Sequence, residues 1–151
     1  MAQIEVFTEG ITLPYGDVTR QKVKNIAAAV ADCLDLQNAR ITIILTGDAY
    51  IRTINSEYRS IDAPTDVISF ANRDNPFPDI DASQEEIGDV YISAERAERQ
   101  SHEYRVSLMD EVKRLIIHGI LHLVGYDHER SDEDEEIMLQ KEDELWDRIS
   151  V

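Results

Sequence analysis

The sequence predicts an α/β (α+β) fold, a single domain over residues 1–151 in which about five helices pack on one four-stranded mixed sheet. Three observations predict it. Short β-branched runs alternate with helical-period stretches in the order strand, helix, strand, helix, strand, strand, then three helices. The two runs with no helix between them, 65–70 and 87–93, suit an antiparallel pair, and the sheet order beyond that is open. At 151 residues and 42% hydrophobic composition, the chain can bury one sizeable core.

Taken in order, "QIEVF" (3–7) reads as the first strand, and "LPYGDVT" turns the chain with Asp17 as the expected N-cap. Val23, Ile26, Ala27, Val30, Cys33 and Leu34 recur at helical spacing. "RITIILTG" (40–47) is a buried strand. Asp48 is the expected cap of a helix with Ile51, Ile54 and Tyr58 on its apolar face, ended by "SIDAP" because the residue before proline disfavours helix. "TDVISF" (65–70) is a third strand, and "ANRDNPFPDIDASQEE" (71–86), with two prolines and no period, reads as a long loop. "IGDVYIS" (87–93) is a fourth strand, and Ser93 caps a helix to about Tyr104. Ser107 and Asp110 form a capping-box pattern before the apolar run 108–124, which Gly125 is placed to end. Ser131 and Asp134 open the last helix, with Met138, Leu145, Trp146 and Ile149 inward. The acidic run 132–136 suits the positive end of that helix's dipole better than a metal cluster.

Composition narrows the function. Net charge is −16, from 31 acidic and 15 basic residues, so the surface repels polyanions at long range, which argues against a general nucleic-acid coat. The N-terminal stretch lacks the pattern of a secretory signal, and the longest apolar stretch, "LIIHGILHLVG", is too short to span a membrane. The single Cys33 can form no internal disulfide; it suits a reducing cytoplasm and reads as a buried structural thiol.

Chemistry concentrates in "HGILHLVGYDH" (118–128), which holds three of the four histidines. His118 and His122 lie one turn apart on one helix face. Gly125 lets the chain turn back, so His128 can reach the same ion from the turn after the helix 107–124. Three neutral imidazoles leave a tetrahedral zinc, or another divalent metal, one open position, which is a catalytic pattern. Asp127 is either an orienting acid for a ligand imidazole or an ordinary turn acid. His102 has no such partner and is expected to face solvent. The spacing also fits the metzincin protease pattern, but Gly119 occupies the place of the glutamate base. A divalent ion lowers the pKa of its bound water to about 7, so phosphodiester chemistry needs no such base.

These residues strongly resemble the signature of the YbeY-type bacterial endoribonucleases. "INSEYRSIDAPTDVISF" (54–70) and "GDVYIS" (88–93) are similar to two further blocks of that family, with Ile68 where leucine is usual and Ala71 where proline is common. The resemblance spans most of residues 42–149. It implies a single-strand-specific, zinc-dependent endoribonuclease acting in rRNA processing, at the 3′ end of small-subunit rRNA, and in ribosome quality control. It implies a metal on His118, His122 and His128, and a catalytic role for Arg59. Partners would be single-stranded RNA and the ribosome or ribosome-associated proteins, with no DNA and no membrane, in the cytoplasm. Arg59 has its own case, since a guanidinium is a bidentate partner for phosphate; without the resemblance, a surface ion pair is the commoner reading. Two competing functions are a metalloprotease, which Gly119 argues against, and a non-enzymatic ribosome-assembly factor with a structural metal, which an open coordination position argues against.

Overall fold

The computed structural model describes residues 2–72, 85–126 and 131–151. His128, Asp127 and most of the stretch read as a long loop lie outside the described residues. Strands are β1 (Gln3–Glu9), β2 (Ala39–Thr46), β3 (Val67–Ala71) and β4 (Glu85–Ser93). Helices are α1 (Arg20–Cys33), α2 (Asp48–Arg59), α3 (Ala94–Tyr104), α4 (Leu108–Leu123) and α5 (Asp132–Arg148). The sheet order is β1-β2-β4-β3. β1, β2 and β4 are parallel, and the edge strand β3 is antiparallel to β4, as its place next to β4 in sequence predicts.

Side chains alternate across the sheet, so each strand feeds two layers. Val67 of β3 and Val90 and Ile92 of β4 join the main core with α1, α4 and α5. Ile68, Phe70 and Tyr91 point the other way, onto Ile51 and Ile54 of α2. α2 and α4 therefore flank opposite faces of the β3–β4 pair.

Several local expectations change. Thr19, not Asp17, caps α1, accepting from Lys22 N; Asp17 instead accepts from Met109 N at 3.1 Å and so caps α4 from across the fold. Gly47 is the N-cap residue of α2, and Asp48 is its first helical residue, accepting from Ser93 Oγ at 2.7 Å and pairing with Arg99 at 2.8 Å. Tyr58 is 65% exposed, its ring in a T-shaped contact with Phe70 at 5.2 Å near the end of α2. β3 begins at Val67 rather than 65, since Pro64 delays strand pairing, and Ala71, Glu85 and Glu86 belong to strands. Ser93, Ser107 and Ser131 cap their helices as expected. Cys33 is only half-buried, because it lies in the last turn of α1.

Candidate metal centre

From Met109 to Leu123, α4 is buried all round except for one stripe: Asp110, Arg114, His118 and His122, each four residues from the next. A helix apolar on nearly every side belongs at the centre of a fold, and α4 touches α1, α3, α5, β3 and β4. Its stop is a Schellman motif. Gly125 has φ +106°, Gly125 N–H donates to His122 O at 3.2 Å, and Tyr126 N–H donates to Leu121 O at 3.1 Å. The last turn, which carries His122, is thereby held before the chain leaves toward His128.

The two described histidines meet. Their Nε2 atoms are 3.2 Å apart and their rings stand at 70°. Two nitrogens bound to one tetrahedral zinc at about 2.0–2.1 Å stand about 3.3 Å apart. The donor set and its spacing fit a shared ion, with Nε2 as the ligating atom of each ring. His102 is exposed, as expected.

Sequence reasoning missed the partner on the other side. Glu142 of α5 places Oε1 2.6 Å from His118 Nδ1, with the two side chains 18% and 22% exposed. A signal was present. Met138, Glu142, Leu145 and Ile149 keep the spacing of a buried stripe, and a carboxylate within such a stripe needs a partner.

One turn before His118, a second unforeseen network surrounds Arg114. Glu111, 1% exposed, takes a two-pronged bond from it at 2.6 and 2.8 Å, which raises the guanidinium pKa further. Gln100 donates to Glu111 Oε2 at 2.7 Å, and Asp66 lies 3.9 Å from Arg114. Lys113, its pKa lowered by burial, donates to Trp146 O at 3.0 Å and Ile149 O at 2.5 Å, pinning the end of α5 to α4. A cleft of about 500 Å³ opens between these helices; Arg114 and Glu142 line it, and neither histidine does.

Gly119 takes on a structural meaning. A Cβ there would come within 2.5 Å of Val90 Cγ1 and 3.3 Å of Ser69 Oγ, whose hydroxyl donates to Gly119 O at 2.9 Å. The position faces the sheet at contact distance. A side chain there has no room unless Val90 is displaced.

Arg59 is the exposed last residue of α2, on the opposite side of the β3–β4 pair from α4. The segment after it is tied down. Ser60 adopts φ +58°, Ile61 N–H donates to Asn55 O, and Asn55 Nδ2 donates to Ala63 O at 2.9 Å. By Asp66 the chain has rounded the sheet edge to the Arg114 side.

Known proteins resemble the chain over most of its length. The family described as Endoribonuclease YbeY matches residues 10–150. Among curated relatives, the Endoribonuclease YbeY of Sulfurihydrogenibium sp. (strain YO3AOP1) is 40% identical, over 89% of this chain and 86% of its own. That of Aquifex aeolicus (strain VF5) is 40% identical, over 88% and 85%. The solution structure of TM1509 from Thermotoga maritima superposes with a TM-score of 0.62 at 25% identity, covering 95% of this chain and 87% of that one.

Proposed function

This chain belongs to the endoribonuclease YbeY family, and we propose on that footing that it is a metal-dependent endoribonuclease of rRNA processing. Its substrate is single-stranded RNA, notably near the 3′ end of small-subunit rRNA, and it acts in ribosome quality control in the cytoplasm. The observation that carries the reading is the 3.2 Å separation of the His118 and His122 Nε2 atoms. We assign His128 as the third ligand and zinc as the ion.

When bound, such an ion supplies a Lewis acid for a phosphoryl oxygen and acidifies a water. The chain's own residues do the rest. His118 and His122 hold the ion as neutral imidazoles on a helix fixed at both ends. Arg59 offers two parallel N–H donors to the oxygens that gain charge as the phosphodiester breaks. A strand laid over the β3 edge would meet Arg59 on one side and the α4 stripe on the other, along the path the chain itself takes from Ser60 to Asp66. The carboxylate-rich surface keeps intrinsic RNA affinity low, so delivery by the ribosome or a ribosome-associated protein is part of the proposal. No described helix is long and apolar enough to cross a membrane.

The test is metal-replete protein incubated with end-labelled single-stranded RNA, with chelated protein and Arg59→Ala in parallel. Cleavage should need the metal. Arg59→Ala should keep its metal and its melting temperature but cut on the order of 100-fold more slowly, and Arg59→Lys should recover part of that. Cleavage of unstructured polypeptide instead of RNA would revive the protease reading. Metal binding with neither activity would leave an assembly factor.

A further inference from the structure

We propose that Glu142 is a positioning residue for the metal, so that α5 is part of the site although it supplies no ligand. An imidazole has two nitrogens, and only one without a proton can bind an ion. The carboxylate of Glu142, 2.6 Å from His118 Nδ1, accepts that nitrogen's proton-borne hydrogen bond. This fixes the Nδ1–H tautomer, leaves a lone pair on Nε2, and aims it at His122 Nε2. The carboxylate's charge also makes the ring a stronger donor.

Glu142 can do this because its helix is anchored twice. Met138 and Leu145, one turn to either side, are buried in the main core. Beyond them, Lys113 of α4 binds the Trp146 and Ile149 carbonyls and lies 3.9 Å from the Trp146 ring centre. α5 follows α4 in the chain and folds back along it, so the same helix pair supplies His118, His122 and the group that orients one of them. Glu142 also lines the neighbouring cleft, which makes that cleft a place from which the His118 orientation can be disturbed.

The inference rests on the proposed metal site, and its test is read without RNA. Metal-free protein labelled with nitrogen-15 at histidine reports the His118 tautomer by NMR, and zinc affinity is measured by competition with a chromophoric chelator. In the parent, His118 should carry its proton on Nδ1. In Glu142→Ala the ring should move to a tautomer mixture, and zinc should bind about 10- to 100-fold more weakly. Glu142→Gln keeps an accepting oxygen but loses the charge, so it should hold the tautomer and fall between parent and alanine in affinity. Both variants are first checked by thermal melting; if alanine does not fold, the nearly isosteric glutamine variant carries the test. An unchanged tautomer in Glu142→Ala, or parent zinc affinity in Glu142→Gln, overturns the proposal. A protein that shows these effects yet cuts no RNA would instead sink the functional reading and leave Glu142's role standing.

Discussion

His118 and Gly119 are neighbours in sequence on α4, and their surroundings differ completely. Around Gly119 the helix backbone lies so close to the sheet that even a methyl group has no room. Around His118, polar atoms from two helices meet: Glu142 on one side of the ring, His122 on the other. The half-exposed stripe from Asp110 to His122 runs down a helix otherwise enclosed by core. The difference teaches that rigidity and chemistry are divided within one element. The sheet-facing side fixes where the helix sits, and the stripe can then hold nitrogen atoms at a defined spacing. Ligands held by a packed helix need little reorganisation to meet an ion.

The largest expected effect breaks the chemical side alone. His122→Ala removes a half-buried ring from the stripe and leaves the packed side untouched. RNA cleavage should fall on the order of 100-fold or more, and elemental analysis should find the metal gone. Thermal stability should change little, by about 1 kcal/mol or less. A variant that keeps both metal and activity would remove His122 from the site.

The second prediction breaks the packed side. Gly119→Ala drives a Cβ to 2.5 Å from Val90 Cγ1. Overpacking of this kind costs about 1–3 kcal/mol. Alanine recovers up to about 1 kcal/mol of helix propensity, so the net change should still be a loss, read as a lower melting temperature. Gly119→Glu should cost more, since it adds a carboxylate with no partner against the sheet. It should also fail to create peptidase activity, although it completes the protease spelling. A stable Gly119→Glu that digests polypeptide would reverse the assignment of the two faces.

How much of this was legible in the sequence follows from which contacts are local. The α4 pattern, its serine cap and its glycine stop are encoded within one segment, and they were read correctly. The histidine pair was readable for the same reason, since spacing i, i+4 fixes a shared helix face. Strand order was not, because β2 pairs with β4 across an intervening helix and strand. Asp17 was misplaced because its acceptor serves Met109, far along the chain. Gly119 was visible only as a missing base; its closeness to Val90 depends on how α4 meets the sheet. Glu142 sat in plain view at a core spacing, but its partner lies on another helix. The distance from Arg59 to the histidines depends on the whole sheet edge, and no local pattern reports it.

A third, smaller effect sharpens the role of the α4–α5 contact. Lys113→Met leaves the aliphatic stem but removes the ammonium that holds the Trp146 and Ile149 carbonyls. Hydrogen bonds from a charged group contribute about 1.5–3 kcal/mol. Part of that is already offset in the parent, because burial disfavours the charged form and lowers the Lys113 pKa. A net loss of about 1–2 kcal/mol is expected, measured by chemical denaturation. Faster amide exchange should be confined to the last turns of α5. Exchange that rises equally in α1 and α5 would show that the lysine supports the core at large, not this contact.

The smallest effect lies on the far side of the sheet, away from both faces of α4, and serves as the control for them. Asp89 of β4 is half-buried, and burial raises its pKa, with Glu86 adding to the rise and a hydrogen bond from Thr42 opposing it. Thr42 stands directly opposite it on β2. A carboxyl whose folded pKa lies above its unfolded one favours the fold most when protonated. Its contribution is fully present below the ordinary Asp range, near pH 4, and is lost as pH rises through the raised folded value. At neutral pH the ionised group therefore works against stability. Asp89→Asn mimics the protonated form and keeps an oxygen that can accept from Thr42. The variant should melt slightly higher than the parent at pH 7, and the gap should close as pH falls below about 4. Metal content and RNA cleavage should not change. A gap that widens in acid would mean that Asp89 is stabilised by ionisation, and that the hydrogen bond from Thr42 outweighs burial.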